Sequence, residues 1–448
     1  MGATRHTYIN CKAGKINKES LGGQVPEDKQ KPIFPKDFMW GASTSSHQVE
    51  GGNHNQWTVW EKENAERLAA KAEKLLAWRW RTPVWEDIKK QAKNPKNYIS
   101  GRGVEHYKRY KSDLALAKKL NLNAFRFSIE WSRIEPEEGQ YSQEAIEYYK
   151  KYIKEIRKHK MEPMLNIWHY TVPVWFAARG GFKQHKNLKY FKQFVHVVAG
   201  ELTEDVKYIV TLNEPNVYAS LSYLLGQWPP QEKNIFSMVR VYWNLVKAHR
   251  DAYFILKMAK PSLQVGVASQ LGNIQAKDPH DFSDELSTKI MRYAWNWWYL
   301  RRVRSEQDFV GINYYYTDYY NDWFKRQNPK LPTSDLGWYM EPEGLFPILL
   351  RAWAHYGKPI IVTESGVPDM HDQFRRWWIA QTIVAMERAM SEGVKIKGYF
   401  YWSLLDNFEW AQGWWPKFGL VAVDRRRGMK RTIRPSAKWF AAKIKKLS

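Results

Sequence analysis

Two glutamates stand at the ends of apolar, strand-like runs. Glu214 belongs to Thr211-Leu212-Asn213-Glu214-Pro215, and Glu364 to Val362-Thr363-Glu364-Ser365-Gly366. A lone carboxylate is costly to bury. Two of them at strand mouths of one domain therefore point to a shared site. A facing carboxylate pair is the working part of glycoside hydrolysis. Other polar residues fall at the ends of similar runs. They are Gln48 and Glu50, Arg126, His169, Asn213, the trio Asn313, Tyr314 and Tyr315, and Trp402 followed by Glu409 and Trp410. Each alone has a dull explanation. A strand arginine usually pairs with a structural carboxylate, and a strand-end histidine is commonly a satisfied core residue. Their convergence on one rim is what favours chemistry.

Eight β-like runs must position these residues. They are Phe38–Ser45, Ala124–Trp131, Glu162–Tyr170, Tyr208–Pro215, Val265–Gly272, Asp308–Tyr316, Pro359–Gly366 and Ile396–Asp406. Most are continuously apolar, the mark of strands buried on both faces. Helical periodicity fills the gaps, over Tyr107–Leu120, Ala145–His159, Tyr190–Leu202, Val239–Met258, Asp284–Val303, Glu343–Tyr356, Phe374–Glu392 and Ser436–Leu447. Eight alternations predict an α/β fold, a single (β/α)8 barrel whose strand ends carry the site. An open doubly wound sheet is the runner-up. It usually brings a Gly-rich phosphate turn, and Ala13-Gly14-Lys15 lacks the preceding strand for one. A helical segment inserted after the first strand, Glu61–Leu76 with 77–97, is expected beside the barrel mouth.

The chain has 448 residues, enough for a large core. Residues 1–31 read as a flexible polar tail and 32–448 as the barrel domain. The single cysteine, Cys11, permits no internal disulfide and no cysteine metal site. The leader has no apolar run that could serve as a signal or span, so a cytoplasmic protein without a membrane partner is expected. Lys and Arg outnumber Asp and Glu by 70 to 46, a formal charge of +24. Such a charge could serve nucleic acid, anionic membranes or acidic polysaccharide, and its bland reading is a basic surface spread around a large domain, since Lys and Arg are scattered along the chain. No nucleic-acid module is recognisable, so no specific nucleic-acid partner is expected. His47, His54 and His169 lack metal-motif spacing, and no metal or cofactor is expected. Trp295, Trp297 and Trp298 sit in a predicted helix and read as core. Oligomeric state is not legible.

From about Phe34 to the C-terminus the chain resembles the family 1 glycoside hydrolases, which are retaining β-glycosidases. The residues carrying the resemblance are Phe38-Met39-Trp40-Gly41 leading to Gln48-Val49-Glu50-Gly51, then Phe125 to Arg133 and Trp168-His169 with Pro173. Thr211 to Pro215, Gly311 to Tyr315, Thr363 to Gly366, Trp402 to Trp410 and Phe418-Gly419-Leu420 complete the series. The resemblance implies Glu214 as general acid/base and Glu364 as nucleophile. It implies Asn213 on the sugar 2-hydroxyl, and Arg126 and Tyr315 holding the nucleophile. Gln48, His169, Tyr315, Glu409 and Trp410 would bind the sugar, with Trp402 as stacking platform. It also implies a small glycoside as substrate. The retained Glu409-Trp410 pair favours an unphosphorylated sugar, such as the terminal unit of short β-glucosides, with β-galactosides and β-fucosides as further candidates.

Physical chemistry supports that division. A nearby guanidinium keeps a nucleophilic carboxylate ionised. Burial and a second negative charge keep the acid protonated until it meets the leaving oxygen. In retaining enzymes the two carboxyl groups lie about 5–5.5 Å apart, the spacing expected here. Two departures stand out. Ser365 replaces the Asn of the family's Thr-Glu-Asn-Gly motif, so a supporting hydrogen bond is expected to be lost. Trp377, Trp378 and Thr382 announce a packing change nearby. Two other readings remain open: a silent carbohydrate-binding barrel, and a transglycosylase with Tyr170, Trp175 and Trp338 at its acceptor site.

Overall fold

The computed structural model describes residues 34–321, 324–328 and 330–447. The tail read over residues 1–31, with Cys11, lies outside the described residues. Eight strands make up the barrel: β1 (Met39–Ser43), β2 (Ala124–Ser128), β3 (Glu162–Trp168), β4 (Tyr208–Asn213), β5 (Gln264–Gln270), β6 (Phe309–Tyr314), β7 (Ile360–Ser365) and β8 (Ile396–Trp402). Each pairs in parallel with its neighbour in sequence, and β8 pairs with β1 to close a (β/α)8 barrel. The predicted runs overshoot at their C-terminal ends. Trp131 already begins a short helix, and Glu214 leaves the strand with a left-handed backbone.

The continuous apolar character has a simple cause. One face of each strand meets the helices, and the other fills the barrel. Met39, Ala124, Met164, Val210, Ala268, Phe309, Ile361 and Phe400, one from each strand, form a closed inner cluster. This layer is the floor on which the polar residues above it stand. Helices cover the outside: His106–Lys119, Gln143–Lys158, Leu188–Glu201, Ile235–Ala259, Phe282–Arg292, Leu345–Tyr356, Arg375–Ser391 and Pro435–Leu447. In Gln143–Lys158 the buried positions Ala145, Ile146, Tyr149, Tyr152, Ile153 and Ile156 follow the helical period, and the Ser142 side chain caps the first turn.

The predicted insertion is helical over Gln56–Ala72 and Trp85–Ala92, with a wide-turn segment over Glu73–Arg79. Asn55 and Thr58 start it with reciprocal side-chain to backbone bonds. Among the described residues no helix is long and apolar enough to cross a membrane.

Candidate active site

Strand alternation explains most of the rim. Residues two apart on a strand share a face, so Arg126 stands above Ala124, Trp402 above Phe400, and Asn313 above Gly311 and Phe309. Glu364 and Asn213 need a different device. Ile361 is in the inner cluster, and Glu364 lies three residues on, which a regular strand would turn outward. The pairing of β7 with β6 shifts register between Val362 and Glu364. On β4 a shift between Val210 and Asn213 brings Asn213 inward in the same way. An irregularity of this kind re-aims a side chain at a site. Gly366 follows because a Cβ there would come 2.0 Å from the Trp402 carbonyl oxygen.

The side chains converge on one cavity of about 740 Å3 at the C-terminal ends of the strands. Glu364 accepts from the Arg126 guanidinium through one oxygen and from the Tyr315 hydroxyl, at 2.5 Å, through the other. Arg126 also donates to Asn213 Oδ1 at 2.6 Å, and Asn313 Nδ2 donates to the same oxygen at 3.1 Å. Two donors on that oxygen fix the Asn213 amide with its NH2 turned away from them. Asn313 Nδ2 also donates to Glu214 Oε1 at 2.8 Å, and Thr363 Oγ1 donates to Asn313 Oδ1 at 2.6 Å. Asn313 therefore links the surroundings of the two carboxylates.

Glu214 is buried and its pKa is pushed up to about 8, first by desolvation and then by the charge of Glu364. Hydrogen bonds from Tyr170 and Asn313 act in the opposite direction. Glu409 is likewise raised to about 8 by burial and by the two other glutamates. His169 lies between the amides of Asn166 and Asn213, at 3.0 and 3.2 Å. Burial, with Arg126 and His47 nearby, holds its pKa well below the usual range, so the ring is neutral. It stacks on Trp402 with centroids 5.8 Å apart. Tyr170, Glu214 and Trp410 all have positive φ. That conformation costs a non-glycine residue about 1–2 kcal/mol, and strain of this kind gathers at functional sites.

The cavity wall contains His169, Asn213, Glu214, Tyr315, Glu364, Trp402, Glu409 and Trp410. Gln48 stands one layer back. Its amide donates to the Phe408 carbonyl at 2.8 Å and to Glu409 at 3.2 Å. Glu50 is absent from the wall and is tied to Arg133 and Tyr149. Trp175 is also elsewhere, packed edge-on against Trp131, while Tyr170 and Trp338 do line the cavity. The inserted segment supplies Arg79, Trp80 and Arg81 to one side.

Two aromatic residues have roles that sequence reasoning missed. Tyr170 donates its hydroxyl to Glu214, a partner unforeseen in the motif. Trp295 lines the cavity and bonds Gln270, although its neighbour Trp297 is core as expected. Residues Tyr293–Trp297 form a π-helical turn. The extra residue breaks the 3.6-residue period, so periodicity assigns Trp295 to the wrong face.

The expected loss at Ser365 is corrected by its neighbour. Ser365 Oγ accepts from Trp378 Nε1 at 3.0 Å, and the Trp378 ring stacks on Tyr314. The small hydroxyl and the large indole are complementary changes. Ser365→Ala should leave a buried N–H unpaired and cost roughly 1–3 kcal/mol. A denaturant titration checks this through a lower midpoint at unchanged slope, and an unchanged midpoint would show that the bond carries no stability.

The "Glycosyl hydrolase family 1" model matches residues 30–304 and 300–447. Beta-glucosidase A of Thermotoga maritima is 28% identical, over 92% of this chain and 98% of its own. The chloroplastic galactolipid galactosyltransferase of Arabidopsis thaliana is 30% identical, over 91% of this chain and 72% of its own. Among solved structures, the beta-glycosidase from Pyrococcus horikoshii is similar with a TM-score of 0.80 and 30% identity, covering 92% of this chain and 95% of that one.

Proposed function

The chain belongs to glycosyl hydrolase family 1, and we propose that this O-glycosyl hydrolase cleaves the non-reducing terminal sugar from short β-glucosides with retention. Glu364 attacks the anomeric carbon, and the bond to the leaving oxygen breaks as Glu214 protonates that oxygen. The products are an alcohol and a glycosyl ester on Glu364. Water then gives a proton to Glu214 and attacks the same carbon, the ester bond breaks, and both carboxyl groups return to their starting states. The observation that carries this reading is the contrast between the glutamates. One is held by a guanidinium and a phenol, and the other is kept protonated by burial beside it.

The remaining groups suit a neutral sugar. Trp402 offers a flat apolar face, and His169, Glu409 and the Asn213 amide offer hydrogen bonds, with Gln48 holding Glu409 in place. Arg126 and Tyr315 position the nucleophile. β-Galactosides and β-fucosides are further candidate substrates. A panel of chromogenic aryl β-glycosides between about pH 4 and pH 9 tests the proposal. Absence of turnover on all of them would sink it and leave the silent binding barrel.

Transglycosylation is the second reading. Trp338 and Tyr170 face the cavity where an acceptor would enter, and one relative is named a galactosyltransferase. Product analysis at high substrate concentration separates the two outcomes. Tyr170→Phe gives an independent check on Glu214. The lost hydrogen bond favours the ionised form, so its removal raises the Glu214 pKa further. The alkaline limb of kcat/KM should move to higher pH, by up to about one unit. An unmoved or lowered limb would mean that Glu214 does not control it.

A further inference from the structure

The helix Ile235–Ala259 buries Val241, Leu245, Ala248, Ala252 and Leu256 on its inner side. Its outer side is apolar as well. Phe236 and Met258 are 80% and 85% exposed, and Ile235, Val239, Trp243 and Phe254 are exposed with them. The other large exposed residues of this helix are Arg240, Lys247 and Arg250, and none of its exposed residues is acidic. The next helix repeats the pattern. Phe282 is 81% exposed, Leu286 and Ile290 follow at four-residue spacing, and Lys289 lies among them. Asp284 is buried and Glu285 half-buried. The two connections touch through Trp243 and Trp298, with rings 5.1 Å apart.

Single exposed hydrophobic residues need no explanation, but aligned rows of them on two successive helices do. A surface helix normally turns polar residues to water. Large apolar side chains interleaved with Lys and Arg are the composition of a helix lying in a lipid headgroup layer. Beside this patch is a hollow of about 480 Å3, lined by Lys186, Lys189, Lys192, Lys247 and Arg250, with Asp251 as its acidic member. The patch is also tied to the active-site cavity through the chain. The connections after β4 and β5 that carry it also supply Val217, Leu221 and Trp295 to the cavity wall.

We propose that this face docks on an anionic lipid bilayer, with the apolar side chains entering the headgroup layer and the basic hollow meeting lipid phosphates. Glycosides with an apolar aglycone anchored in the bilayer would then lie beside the cavity mouth. That corollary rests on the glycosidase reading, whereas the docking does not. A second copy of the chain is a poorer occupant. A two-fold axis through the patch would set Arg240, Lys247 and Arg250 against their own copies, with only the partly exposed Asp251 and Glu285 on these helices to offset them. The expectation of no membrane partner came from the lack of a spanning run, and lying on a surface needs no such run.

Sedimentation with vesicles of phosphatidylglycerol and phosphatidylcholine in equal parts tests the proposal. The parent protein should bind. The combined variant Phe236→Ser, Met258→Ser and Phe282→Ser keeps the net charge and removes no buried contact. Its partition coefficient should fall about tenfold or more, with thermal midpoint and soluble aryl-glucoside turnover unchanged. Arg240→Glu with Lys247→Glu should weaken binding at low salt. Equal binding by the triple variant and the parent would assign the adhesion to the overall +24 charge and overturn the proposal. So would a parent that does not bind, or a concentration-dependent dimer that the triple variant abolishes. Glu364→Ala should bind vesicles like the parent, which keeps failure of the catalytic reading apart from failure of docking.

Discussion

Glu364→Ala is expected to lower turnover of aryl β-glucosides on the order of 10^4-fold or more, and azide is expected to restore it with the inverted product. Arg126 and Tyr315 remain on the floor of the site, facing the space of the lost carboxylate. A small anion can enter there, beside the guanidinium, and attack the anomeric carbon from the side the nucleophile used. Only one displacement then occurs, so a β-glucoside gives an α-glucosyl azide. The variant also leaves Arg126 buried without its carboxylate, which costs about 3–5 kcal/mol of stability. Lost activity alone would therefore be ambiguous. Azide rescue with inversion removes the ambiguity, because an unfolded chain cannot be rescued. A near-normal rate, or rescue with β-azide, would mean that Glu364 is not the attacking group.

The barrel was legible in the sequence because strands covered on both faces must be apolar throughout. Runs such as Ile360–Val362 and Val265–Ala268 admit few other readings. The ends of the strands were less legible. Apolar character continues past Ser128 to Trp131 and past Trp402 to Leu405, while the hydrogen-bond ladder stops earlier. A buried loop and a buried strand look alike when both are apolar. The rim residues were legible as residue types, since Glu, Asn and Arg are conspicuous against such runs. Their partners were not. Tyr170 and Trp295 are aromatic residues in an aromatic-rich chain, and nothing local marks one ring as touching Glu214 and another as filling core. The Ser365–Trp378 bond joins residues 13 apart in sequence. Sequence reveals each departure singly, and only the fold shows that they compensate. The outward-facing hydrophobic residues of Ile235–Ala259 were hidden for a related reason. Apolar positions on both sides of a helix read simply as a more apolar helix.

The second large effect concerns Glu214, and it should depend on the leaving group. Glu214→Gln keeps the shape of the side chain beside Tyr170 and Asn313 but cannot deliver a proton. For alkyl glucosides and disaccharides, whose leaving oxygen needs that proton, kcat/KM should fall about 10^2–10^4-fold. For nitrophenyl glucosides, whose leaving group departs as an anion, formation of the glycosyl ester should suffer much less. The pH profile should change in a related way. In the parent, burial and the charge of Glu364 raise the Glu214 pKa to about 8, so the acid is available below that pH and is lost as pH rises through it. In Glu214→Gln that alkaline limb should disappear. The second half of the reaction should slow as well, because water has lost its base. When Glu364 is esterified its charge is gone and one cause of the raised pKa goes with it, so a Glu214 that has given its proton to the leaving oxygen stays ionised and can serve as that base. Azide needs no base, so it should intercept the ester in Glu214→Ala and give β-glucosyl azide, the anomer opposite to that from Glu364→Ala. Pre-steady-state release of nitrophenol followed by anomer analysis measures both halves. Equal losses on activated and unactivated substrates, or the same azide anomer from both variants, would remove the proposed division of roles between the two glutamates.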